Sequence, residues 1–109
     1  YARNYEFFGA PVALFFAREK THGAAQWADI GGYLQTVALL ARGHGLHSCP
    51  QQAWVPFHRT VRNYLQLPDH LMIYSGMALG YEDPDAAINR WRSPREPLDD
   101  FASFDGFES

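Results

Sequence analysis

At 109 residues, the chain is long enough for one domain or less. It is 47% hydrophobic and 16% aromatic, a composition that can build a core and excludes a disordered chain. A net charge of -3 and a pI near 5.9 argue against nonspecific binding to nucleic acid or anionic membranes.

Tyr1 stands where an initiating methionine is usual, which suggests a fragment or a processed chain. Tyr1 to Phe8 reads as the tail of a helix, stopped by Gly9 and Pro11. Val12 to Ala17 is a continuous apolar run of strand length, as expected of a central strand covered on both faces. The run from Pro11 to Ala17 is too short for a signal peptide, and a charged cluster follows it. No segment approaches the ~20 apolar residues of a membrane span. Arg18 to Ala25 is a polar connection.

The chain is organised around the helix that follows. Trp27, Ile30, Leu34, Val37, Ala38 and Ala41 recur at three- and four-residue steps, the spacing of one helix face. Tyr33, Leu39 and Leu40 lie off that face, so the helix is apolar most of the way round. Such a helix is buried on several sides, within a core or between subunits. Gly31-Gly32 inside it costs about 1 kcal/mol per glycine relative to alanine, an expense that close approach of another backbone would offset. Gly43 and Gly45 offer the left-handed stop.

Leu46 to Cys49 reads as a short strand closed by Pro50, which cannot donate to a ladder. Val55 to Leu67 reads as a partly amphipathic helix ended by Leu67-Pro68-Asp69. Leu71 to Gly80 is a second buried strand, with Gly76 marking a close approach or a bulge. From Arg90 onward Pro94, Pro97, repeated aspartates and scattered phenylalanines describe an extended arm without a core of its own. The division is a core over 5–88 and an arm over 89–109. Alternating strands and helices by themselves suggest an α/β layered sheet.

Three constellations and one lone residue bear on chemistry. Arg90, Arg92 and Arg95 surround Ser93-Pro94, and guanidinium forks suit phosphate through paired hydrogen bonds. A solvated patch balanced by Glu96 and Asp99 explains the same spacing. The turn Cys49-Pro50-Gln51-Gln52-Ala53 joins a strand end to a helix start, where ligands often sit in open sheets. An ordinary helix start has the same pattern. His44, His47 and Cys49 invite a zinc reading but lack the paired ligand spacing of structural sites. The lone Cys49 excludes an internal disulfide, fits a reducing cytosol, and has no basic helix terminus to activate it.

The run Asp29-Ile30-Gly31-Gly32, with Leu39 to Gln51 after it, resembles the central helix and following strand of the FMN-dependent nitroreductase family. Phe7-Phe8-Gly9-Ala10-Pro11-Val12, Ser75 to Tyr81, and Arg92 to Phe107 are similar to three further parts of that family, in the same order. The resemblance covers essentially the whole chain, but only the second, C-terminal half of a family member.

It implies an α+β fold in place of the layered one: a mixed sheet packed on a long central helix, with the arm wrapping over the partner subunit and adding a strand to its sheet. Phe101, Phe104 and Phe107 would be the arm's anchors in that homodimer. It implies FMN as cofactor, held at Pro50, Gln51, Gln52 and Ala53 over the isoalloxazine ring, and at Arg92 and Arg95 around the terminal phosphate. Ser93 stands where the family often has a second basic residue, and Gln52-Ala53 where many relatives have Glu-Gly, which leaves a backbone role but no carboxylate.

The implied reaction is ping-pong hydride transfer from NAD(P)H through flavin to a nitroaromatic or quinone-type acceptor, in the cytoplasm, with no catalytic side chain and no metal. The alternatives are a flavin-free dimerisation module, or a dehalogenase or flavin oxidase of the same fold. The family's basic, hydroxyl-bearing N-terminal motif is not found in this sequence, so the chain alone is expected to bind FMN poorly and show little activity.

Overall fold

The computed structural model describes residues 2–106. Three strands, β1 (Val12–Glu19), β2 (His47–Gln51) and β3 (Leu71–Gly80), form one sheet in the order β1-β3-β2. Both outer strands run antiparallel to β3 and are therefore parallel to each other. The helix α1 (Ala24–Gly43) makes the crossover between them. The alternation of the sequence thus describes one strand-helix-strand crossover, but β3 inserts between its two strands. The result is an α+β sheet and not a layered parallel one.

Among the described residues β3, and not β1, has a neighbour on both sides: Ile73, Ser75, Met77 and Ala78 are buried, whereas Val12 at the start of β1 is 44% exposed. An apolar run looks the same in either place, because local sequence does not encode which strands flank it.

Adjacent phenylalanines on β1 point to opposite faces, as the two-residue period requires. Phe16 meets Tyr33 of α1 edge-on at 5.9 Å between ring centroids. Phe15 meets Trp54 on the other face at 5.1 Å. The β1-β3 register slips between Phe16 and Ala17, which pair with Ser75 and Ile73, so Tyr74 is the extra residue of a bulge. Its ring lies 5.7 Å from that of Trp27, and its hydroxyl lies 3.6 Å from where a Cβ on Gly31 would sit. The neighbour at Gly31 is therefore a tyrosine hydroxyl instead of a backbone, and Gly32 faces open space.

The helix α1 starts three residues earlier than its periodicity suggests. The amide of Gly23 donates to Oε1 of Gln26 at 3.0 Å, half of a capping box. Its C-terminus is closed by Gly45 at φ +76, with Leu46 N donating to Ala41 O at 2.9 Å. Ile30, Leu34, Val37, Ala38 and Ala41 form the covered face. Trp27, assigned to that face by spacing, is 41% exposed.

Gln52–Phe57 is a 3-10 segment that contains Pro56, and only His58–Tyr64 (α2) is α-helical. Proline removes a helix donor and tightens the segment before it, so the helix expected from Val55 to Leu67 is divided. It ends at Tyr64, where Gln66 takes φ +55 and Leu67 N donates to Arg62 O at 3.0 Å. Ala2–Gly9, where the sequence suggests the tail of a helix, is a 3-10 segment with a bend at Phe7 and Phe8.

Beyond Gly80 the chain forms only two four-residue helices among the described residues, α3 (Ala87–Arg90) and α4 (Leu98–Phe101). The expected arm is thus extended between short helical turns, and α3 crosses its start. Phe107 lies outside the described residues. The radius of gyration is 17.4 Å, against about 13 Å for a compact domain of this length. None of the described helices is long and apolar enough to cross a membrane.

Candidate functional site

The turn at residues 50–53 follows directly from the end of β2. Pro50 pairs with Met77 and Gln51 with Gly76, so the strand continues through the proline instead of stopping before it. β2 has no second neighbour among the described residues, and an edge strand tolerates a residue without an N–H. Pro50 and Gln52 are exposed, Ala53 is half-buried, and Gln51 between them is only 2% exposed. Its side chain therefore turns inward, and its Nε2 donates to Asn4 O at 2.8 Å.

Trp54 secures the turn from below. Its ring packs on Gly76, where an added Cβ would lie 2.4 Å from Trp54 Cδ1. The glycine thus marks a close approach, and the approaching group is an indole. Phe7 stacks on that indole at 5.0 Å, and Tyr5 meets it edge-on at 5.2 Å. The Tyr5 hydroxyl donates to Ala53 O at 3.4 Å.

Arg92 and Arg95 are both exposed on the arm. Arg92 donates through Nη1 to Asn89 O at 2.8 Å and to Trp91 O at 3.3 Å. Arg95 donates through Nη1 to Ser93 O at 3.1 Å, to Pro94 O at 3.3 Å, and to Ser93 Oγ. Each guanidinium thus spends one nitrogen on the arm's own carbonyls. The Nε–Nη2 edge, the one that forms paired bonds to an anion, has no partner among the described residues. Arg90 is committed elsewhere, through Nη2 to Asp85 O at 3.0 Å.

The remaining constellation has a local explanation. His47 Nε2 lies 2.7 Å from Arg42 Nη1 and 3.4 Å from Glu82 Oε2, a small polar cluster at the edge of the sheet. Among the described residues no group of three or more His, Cys, Asp or Glu is arranged to hold a metal. Burial pushes the Cys49 thiol above its ordinary pKa, away from the reactive thiolate.

Sequence reasoning missed the contribution of Asn4, Tyr5 and Phe7 to this site. Nothing local marks them, since each reaches the turn across more than 45 residues.

The model of the family described as "Nitroreductase family" matches residues 1–81. The chain is 42% identical over 105 residues to a 4-nitrobenzoate reductase of Pseudomonas putida, covering 96% of this chain and 46% of the relative. It is 38% identical to a chloronitrobenzene nitroreductase of Comamonas testosteroni, covering 94% and 45%. Among solved structures, the FMN and NADPH-dependent nitroreductase NfnB from Sphigopyxis sp. strain HMH superposes with a TM-score of 0.91 at 47% identity, over 96% of this chain and 47% of that one. FMN-dependent NfnB from Mycobacterium smegmatis, solved in complex with NADPH, gives 0.89 at 32% identity, over 94% and 46%. The chain spans about half the length of the curated relatives it matches.

Proposed function

The chain belongs to the nitroreductase family, and from that premise we propose that it is the C-terminal half of an FMN-dependent oxidoreductase that reduces nitroaromatic or quinone-type acceptors with NAD(P)H. The reading is carried by the unspent Nε–Nη2 edges of Arg92 and Arg95, a donor set that fits a terminal phosphate. The exposed residues Pro50 and Gln52 leave the backbone of the turn open to a flat ring, so the residues present fit FMN. When bound, FMN supplies the hydride-accepting and hydride-donating chemistry that links NAD(P)H to the acceptor.

This chain's residues bind and orient. Arg95 and Arg92 would hold the phosphate, the backbone at 50–53 would lie against the ring, and a backbone amide near Gln52 would be the donor to its reactive nitrogen. Gln51 and Ala53 contribute through their main chain. Proton transfer from a protein acid is not required, so no side chain is assigned to catalysis. The relatives named for 4-nitrobenzoate and chloronitrobenzene support the acceptor class, and the NADPH complex of the mycobacterial structure supports the donor.

A homodimer belongs to the same proposal. Tyr33, Leu39 and Leu40 of α1 are 62%, 63% and 62% exposed, an apolar surface of the kind that usually marks an interface. A single free Cys49 suits the cytoplasm, the compartment proposed.

In the full-length protein, Arg95→Ala is expected to weaken FMN by ~1.5–3 kcal/mol, the usual range for hydrogen bonds to charged groups. Riboflavin, which lacks the phosphate, should bind almost as before. Titrations of the two flavins followed by fluorescence make the comparison. Equal losses for both would remove Arg95 from the phosphate site.

A further inference from the structure

We infer that the N-terminal 3-10 segment is a brace built to set the site turn, and that Gln51 is the positioning residue through which it acts on the isoalloxazine side of the site. The inference rests on the FMN reading above.

Three residues of the brace engage two of the turn, Gln51 and Ala53, and Trp54 beneath it. Asn4 O accepts from Gln51 Nε2 at 2.8 Å, with Asn4 Oδ1 3.4 Å from the same nitrogen. Tyr5 donates to Ala53 O and sets its ring edge-on to Trp54, and Phe7 stacks on Trp54 at 23° between planes. Gln52, which is exposed, lies between these two anchored residues.

The brace also concentrates local costs on this one contact. Phe7 and Phe8 take φ +48 and +57, a region that residues with a side chain rarely adopt. That bend turns the Phe7 ring onto the indole. Gln51 Oε1 and Trp54 Nε1 are both buried without a hydrogen-bond partner among the described residues. A leucine or methionine at position 51 would fill similar space without stranding an oxygen. An amide that raises the cost of burial and returns one long-range hydrogen bond serves geometry better than stability. Costs of this kind gather where a structure is held for function.

The test uses the full-length FMN-loaded protein and two variants. Gln51→Met keeps the bulk and loses the donor to Asn4 O. Tyr5→Phe keeps the ring contacts and loses the donor to Ala53 O. The readouts are the reduction equilibrium of the bound flavin against a redox dye, the FMN and riboflavin dissociation constants, and the thermal midpoint. Gln51→Met should change the reduction equilibrium about tenfold, near 30 mV for a two-electron couple. It should weaken FMN and riboflavin by the same factor, because the turn faces the ring and not the phosphate. Tyr5→Phe should change the reduction equilibrium in the same direction by less, and it decides alone if Gln51→Met does not fold. Flavin that stays bound with an unchanged reduction equilibrium, whatever the thermal midpoint does, would reduce Gln51 to a packing residue. A wild-type protein that takes up no flavin would instead overturn the FMN reading, and this inference with it.

Discussion

Deleting the residues from Asp99 onward is expected to leave the full-length protein as monomer or aggregate. Phe101 and Phe104 are 69% and 61% exposed, and Trp91 and Leu98, on the arm before the cut, are 62% and 53% exposed. Burying a phenylalanine fully is worth about 1.5–3 kcal/mol, so the lost residues remove several kcal/mol of association if the arm lies across a partner. Sedimentation velocity of the truncated protein reads the outcome. A soluble dimer of unchanged sedimentation coefficient would refute a crossing arm.

Gly76→Ala is expected to cost about 2–3 kcal/mol, the upper part of the usual range for overpacking. The new methyl would lie 2.4 Å from Trp54 Cδ1. The indole has no easy retreat, because Phe7, Tyr5 and Phe15 hold it at 5.0, 5.2 and 5.1 Å between centroids. Trp54→Ala alone should cost about 3 kcal/mol, the lower end for a large aromatic, since the residue is half-buried. In the Trp54→Ala background the alanine at 76 has the space it lacked and should cost nothing further. That departure from additivity separates a specific clash from a general intolerance of the strand. Denaturant unfolding of the two single variants and the double variant measures it, and simple addition of the two costs would contradict the packing described.

Where the pattern is periodic and local, the sequence was a good guide. Leu71 to Gly80 has the bounds its apolar run suggests, and the covered stripe of α1 is the one its spacing marks, apart from Trp27. The family's order of motifs was legible too, because it is carried by short runs around glycines and prolines. Sheet order was not. β1 and β3 are both apolar runs, and only the pairing of distant residues puts β3 between the other two strands among the described residues.

The candidate site divides in the same way. The arginine cluster and the turn at Pro50 are visible as composition, but their geometry is not. Nothing local marks Gln51 as buried, because its hydrogen-bond partner lies 47 residues away in sequence. The left-handed bend at Phe7 and Phe8 is equally hidden, since aromatic residues give no local signal for φ > 0. Pro50 illustrates a rule applied too strictly: a proline is tolerated in a strand that, like β2 among the described residues, has a neighbour on one side only.

The central claim is that this chain is half of a flavoenzyme, and the visible absorption spectrum of the purified full-length protein tests it most directly. The account predicts flavin bands at one FMN per subunit, bleached by NAD(P)H without oxygen and restored by a nitroaromatic acceptor. A colourless protein that takes up no FMN on titration would contradict it.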